Sequence, residues 1–247
     1  MAISFAGTGS WEVTDTTLTW AAISVWVKPH LVVGVDGTRS MNIICLSDPG
    51  RTRYTFQLAV WQNFPLSACF FSIYFQQSAG SFFVKKGDTQ LITDTWYHIM
   101  LTIPVDDSRF QILVNGNDDD LFNNIFPTWS TGWGVTVATD WIISGAVSTD
   151  TTYNAFNGQM SDVAVWNDRW NQRILYSYRG VTKLYSTPSI AYYPLQIDPG
   201  SLRFYLPMNE ATDGAAVTSL RDHGPNLLTP VLTGSCTGVT NPVVAYP

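Results

Sequence analysis

Along much of the chain, apolar residues occupy every second position. Ile23, Val25 and Val27 alternate with Ser24, Trp26 and Lys28; Tyr54, Phe56, Leu58 and Val60 alternate with Thr55, Gln57, Ala59 and Trp61. Cys69, Phe71, Ile73 and Phe75 repeat the pattern, and Val163 and Val165 oppose Ala164 and Trp166. Period two carried by aromatic and β-branched residues predicts strands with one face turned to a core. The pattern is most regular in TDTWYHIMLTIPVDDSRFQILVNG, residues 93–116, where Tyr97, Ile99, Leu101 and Ile103 share a face, as do Phe110, Ile112 and Val114. Pro104 lacks the N–H a ladder needs and ends the first run. Asp106, Asp107 and Ser108 supply turn chemistry, and Asn115-Gly116 tolerates the positive φ of a tight hairpin turn. Clusters such as SDPGR, KKGDT and FNGQ punctuate the other runs. One segment, NDRWNQRILYSYRG, instead places Trp170, Ile174 and Tyr178 on one helical face and Gly180 at its end. Many short strands and a single short helix predict an all-β sandwich or barrel.

Composition agrees. Of the 19 acids only Glu12 and Glu210 are glutamate, and 13 Lys and Arg leave few good helix formers. Charged residues make up 13% of the chain, about half the roughly 25% usual in globular domains. Its surface must rely on Ser, Thr, Asn and Gln, or be covered by neighbours. A net charge of −6 with scattered cations provides no basic face for nucleic acid. No apolar run is long enough to span a membrane as a helix, and MAISFAGTGS lacks the charged and apolar regions of a secretory signal. Cys45, Cys69 and Cys236 have no metal-binding spacing, and Cys45 and Cys69 fall within strand patterns as buried thiols.

Three motifs then agree in order and spacing. ISVWVKP at 23–29, TWYHIMLTI followed by FQILVNG, and FNGQMSDVAVWNDRWNQRILYSYRG resemble successive signatures of the concanavalin A-like superfamily, in its laminin G-like and pentraxin jelly-roll branch. The resemblance covers roughly residues 2–182 and implies a jelly-roll β-sandwich of two antiparallel sheets over residues 1–182. Residues 183–247 resemble the extension that follows such domains in phage and bacterial proteins, and imply further strands packed on the sandwich, ending in an extended arm.

The fold hosts many functions, so function must be argued from sites. Glycosidases of this superfamily carry an E-x-D-x-x-E strand that points its acids into a cleft; here Glu12 and Glu210 are each followed at plus two by Thr. Neighbouring acids such as Asp106 and Asp107 point to opposite faces of a strand. A non-catalytic protein is expected, with no cofactor unless calcium is bound. Asp118, Asp119 and Asp120 follow the VNG turn and form the densest set of oxygen donors. They read as a solvated acidic turn, with calcium ligation as the alternative. Trp129 and Trp133, in FPTWSTGWG, are candidates to stack on a sugar ring. His98, with no second histidine nearby, reads as a structural side chain.

Two functions fit. The first is a structural protein of a virus particle, of phage type by its extension, decorating a head or associated with a tail and located in the virion. Its partners would be other virion proteins and copies of itself, held in part by Val243, Val244 and Tyr246 of the terminal arm. The second is a lectin module that recognises a surface glycan.

Overall fold

The computed structural model describes residues 2–6, 9–15, 21–30, 39–47, 54–63, 68–78, 81–102, 111–119, 139–145, 153–168, 194–208 and 213–239. These form sixteen strands in chain order: β1 (Ala2–Ala6), β2 (Ser10–Asp15), β3 (Ala22–Pro29), β4 (Arg39–Ser47), β5 (Tyr54–Asn63), β6 (Ala68–Ser78), β7 (Ser81–Lys86), β8 (Tyr97–Thr102), β9 (Gln111–Val114), β10 (Asn117–Asp118), β11 (Thr139–Ile143), β12 (Tyr153–Ala155), β13 (Asn157–Trp166), β14 (Leu202–Leu206), β15 (Val231–Thr233) and β16 (Cys236–Val239). The one described helix, α1, is the single turn Pro194–Ile197. The helix expected within 167–180 lies, from residue 169 onward, outside the described residues.

Two sheets stack face to face. Sheet A has the order β10-β9-β8-β3-β13-β1-β16, with β14 beside the C-terminal half of β13. Sheet B has the order β15-β2-β11-β4-β5-β6-β7, with β12 alongside β4. Pairing is antiparallel except between β12 and β4. Strands beyond residue 183 enter both sheets: β14 and β16 complete sheet A, and β15 extends sheet B.

The core between the sheets is the one the alternation predicts. Val25, Val27, Tyr97, Ile99, Leu101, Ile112, Val114, Val163 and Val165 are all buried in it. The β8–β9 register pairs Leu101 with Ile112 and Ile99 with Val114, and the Asn115-Gly116 turn has positive φ at both residues, as a two-residue hairpin turn requires. Leu101→Ala is expected to cost about 2–5 kcal/mol, the usual range for a buried leucine, read as a lower urea midpoint at unchanged slope.

Alternation does not reveal that sheet A is buried on both faces. All six residues of β8 are buried. Ala22, Met100, Leu113, Ala164, Trp166, Leu202 and Tyr205 form a second apolar cluster on its outer side, where Ile197 of α1 packs. His98 lies on this face, fully buried, 2.9 Å from the Ser24 hydroxyl and with its ring against Trp26. Burial pushes its pKa down to about 3, so the imidazole is neutral and structural.

The FNGQ motif has a steric reason. Gly158 has φ +147°, and a Cβ there would stand 2.3 Å from the Lys28 carbonyl oxygen. Further along β13 the register shifts between Ser161 and Ala164, and Asp162 adopts φ 52°. Its buried carboxylate accepts hydrogen bonds from the Tyr205 hydroxyl and the Ser161 hydroxyl, each at 2.7 Å. Burial nevertheless pushes its pKa up to about 6. Asp222 accepts from the backbone N–H groups of Tyr205, Gly224 and Leu228, tying the 222–228 turn to β14.

Candidate functional site

The outer faces of the two sheets differ in chemistry. On sheet A the cluster is large and apolar. On sheet B it is small and polar. Phe56, Leu58 and Val60 of β5 point into the core, so Gln57, Ala59 and Trp61 point outward. The register sets Gln57 between Cys45 of β4 and Tyr74 of β6, Ala59 between Asn42 and Ser72, and Trp61 between Ser40 and Phe70. Lys86 of β7 lies opposite Ser72.

These rows make a trough. Its floor is Ala59 and Ser72, whose short side chains are both buried, so the trough is covered in this structure. Gln57 and Tyr74 rise on one side, and Trp61 and Phe70 on the other. Lys86 closes one end, its Nζ 4.2 Å from the centre of the Trp61 ring. Tyr74 packs on Cys45 and Ile142, which lie beyond β5, so its ring crosses that strand beside Gln57.

Ser40, Asn42, Ser47, Gln57 and Ser72 are all buried on this face. Some of their polar atoms are paired: the Asn42 amide donates to the Gly145 carbonyl at 2.9 Å, and Ser72 donates to the Ala59 carbonyl at 3.4 Å. Gln57 is different. It is 1% exposed, and among the described residues neither its amide nitrogen nor its amide oxygen has a hydrogen-bond partner. The hydroxyls of Ser40 and Ser47 and the Trp61 indole N–H are also without partners among the described residues. A buried orphan amide costs about 1–3 kcal/mol, so such a cluster requires an explanation. A polar guest supplies one.

The acidic run resolves differently. Asp119 is buried, and its Oδ1 accepts from the N–H groups of Asp88 and Thr89 at 2.7 and 2.8 Å and from the Thr89 hydroxyl at 3.2 Å. A Cβ at Gly87 would collide with its other oxygen, which accounts for the glycine of KKGDT. Asp119 thus clamps the β7–β8 connection to the end of β10. Asp118 is exposed on that edge strand. Among the described residues, no three His, Cys, Asp or Glu side chains converge as a metal site would need. Asp120, Trp129, Trp133, Val243, Val244 and Tyr246 lie outside the described residues. All three cysteines are free and buried, and Cys236 accepts a hydrogen bond from the Trp11 indole at 3.3 Å.

Gln57, Trp61, Ser72 and Lys86 were not singled out by the sequence. The alternation places Gln57 and Trp61 on an outward face. That Gln57 is buried there is a tertiary fact.

No protein-family model matches the sequence, and no curated protein does. Solved structures match by shape. A proposed carbohydrate-binding protein of Bacteroides ovatus superposes with TM-score 0.53 at 15% identity, covering 98% of this chain and 61% of that one. This chain therefore spans about three-fifths of that protein's length. The CBM40 of a Ruminococcus gnavus IT-sialidase, bound to α2,3-sialyllactose, gives 0.51 at 12% identity, covering 73% and 96%. A heptameric pentraxin of Limulus polyphemus gives 0.47 at 15% identity, covering 72% and 81%. The fold is a jelly-roll β-sandwich. At these identities the likeness is one of fold alone.

Proposed function

We propose that this jelly roll is a non-catalytic saccharide-binding module whose ligand occupies the trough on the outer face of sheet B. One observation carries the reading: the Gln57 amide, buried with both donor and acceptor unsatisfied in a cluster of unpaired hydroxyls and an indole N–H. Adjacent sugar hydroxyls can give to and accept from one amide together, and an aromatic wall suits the apolar face of a pyranose ring. Turning Tyr74 aside would open the amide to the ligand. The similarity in fold to structures described as carbohydrate-binding adds support to the lectin reading over the virion one.

Catalysis is not part of the proposal. Glu12 and Asp140 share this outer face but lie on β2 and β11, toward the other edge, and Asp140 accepts a hydrogen bond from the Thr14 hydroxyl at 2.8 Å. Calcium is not part of it either. Chelation is expected to leave the melting temperature unchanged, whereas a fall restored by added calcium would return Asp118–Asp120 to consideration.

The full chain should retain a subset of glycans on an array, and soluble glycan should compete. A chain that binds no glycan but sediments with virus particles would reinstate the virion reading.

A further inference from the structure

Resting on that reading, we infer that the saccharide is acidic, with its carboxylate held by Lys86. Among the described residues, Lys86 has no carboxylate partner; its Nζ stands over the face of Trp61. It is half-buried, and its stem lies on β7 beside Ser72, whose side chain forms the trough floor. A cation held over an aromatic face at the end of a polar trough has its position fixed before a ligand arrives, which lowers the ordering cost of binding.

The distribution of charge on this face argues the same way. Glu12 and Asp140 sit on β2 and β11, separated from β7 by β4, β5 and β6. With neighbouring strands about 4.8 Å apart, they stand roughly 19 Å or more from β7. The acids nearer Lys86 are Asp88, which is exposed, and the buried Asp119, whose Oδ1 is taken up by the N–H groups of Asp88 and Thr89. The ligand's anionic group would therefore meet Lys86 and avoid Glu12 and Asp140. Gln57, two strands from Lys86 and one row along, is placed to read hydroxyls on the same sugar or its neighbour. In a chain of net charge −6, an anionic ligand would be repelled unless a local cation received it. Lys86 is that cation.

The test uses the full chain and pairs of probes that differ in charge. The first pair is an oligogalacturonate and its methyl ester; the second is sialyllactose and lactose. Calorimetry in low salt is expected to show one acidic probe bound about tenfold or more tighter than its neutral counterpart, with the gap shrinking as salt rises. Lys86→Met keeps the stem over Trp61 and should erase the gap; Lys86→Arg should retain most of it. Circular dichroism checks that both variants fold. Which pair responds distinguishes a uronic acid from a sialic acid. Equal affinity within both pairs, or a preference that survives in Lys86→Met, would overturn the role of Lys86 while leaving saccharide binding in place. If only neutral glycans bind an array, the acidic class is wrong; if none binds, saccharide binding itself falls.

Discussion

Gln57→Leu is expected to make the protein more stable and unable to bind its saccharide. The two side chains are close in size, so leucine can fill the same space on β5 without a cavity. Wild type bears a buried amide with neither group paired, and removing it should raise stability by about 1–3 kcal/mol. The same change removes the donor and acceptor that would read adjacent hydroxyls and leaves those hydroxyls unpaired against a methyl surface. Affinity should fall by roughly a hundredfold or more. Urea denaturation and calorimetry measure the two effects on one preparation. A destabilised Gln57→Leu would mean that the amide is satisfied in the folded chain, and the trough would lose its main support.

The second expected result concerns acid. Asp162 and His98 are both buried with shifted pKa values, in opposite senses. For Asp162, raised from 3.8 to about 6, the folded chain holds a proton that the unfolded chain has released. Its contribution to stability is full below the unfolded value and is lost as pH rises through the folded one. His98, lowered from 6.5 to about 3, takes up its proton only on unfolding, so its contribution is lost as pH falls below 6.5. Between about pH 4 and 6 the two slopes cancel. Asp162→Asn, which keeps a side chain suited to positive φ, should expose the His98 slope. Relative to that variant, wild type should gain about 2–3 kcal/mol between pH 6 and 4, at about 1.4 kcal/mol per unit. His98→Gln should show the reverse difference. Parallel pH profiles for wild type and both variants would refute this account.

The fold was legible because its signal is local. The Tyr97–Thr102 and Gln111–Val114 runs alternate on a period of two, and the Asn115-Gly116 turn folds the next strand back on the second run. The trough was not, because its defining property is a combination. Gln57 among Phe56 and Leu58 reads as an ordinary outward residue; only the packing of Tyr74 and the neighbouring strands makes its amide buried and unpaired. Asp119 shows the converse. Its sequence context reads as a solvated turn, but Asp119 is buried and its partners include backbone N–H groups 30 and 31 residues earlier in the chain. No spacing rule links them. The positive φ of Asp162 was likewise invisible, since SDVAVW reads as continuous strand until the shift against β3 interrupts it.

The pairing of β1 and β2 sets a timetable for synthesis. In sheet A, β1 lies between β13 and β16; in sheet B, β2 lies between β11 and β15. Strands β1 and β2 therefore acquire their neighbours only after residues 139–143, 157–160 and 231–239 have followed them from the ribosome. Until then two apolar strands wait with open edges, exposed to pairing with the same strands of another nascent chain. Final closure is a late, long-range step of the kind that slows folding, so yield on expression should depend more on chaperone supply and translation speed than the finished sandwich's stability would suggest.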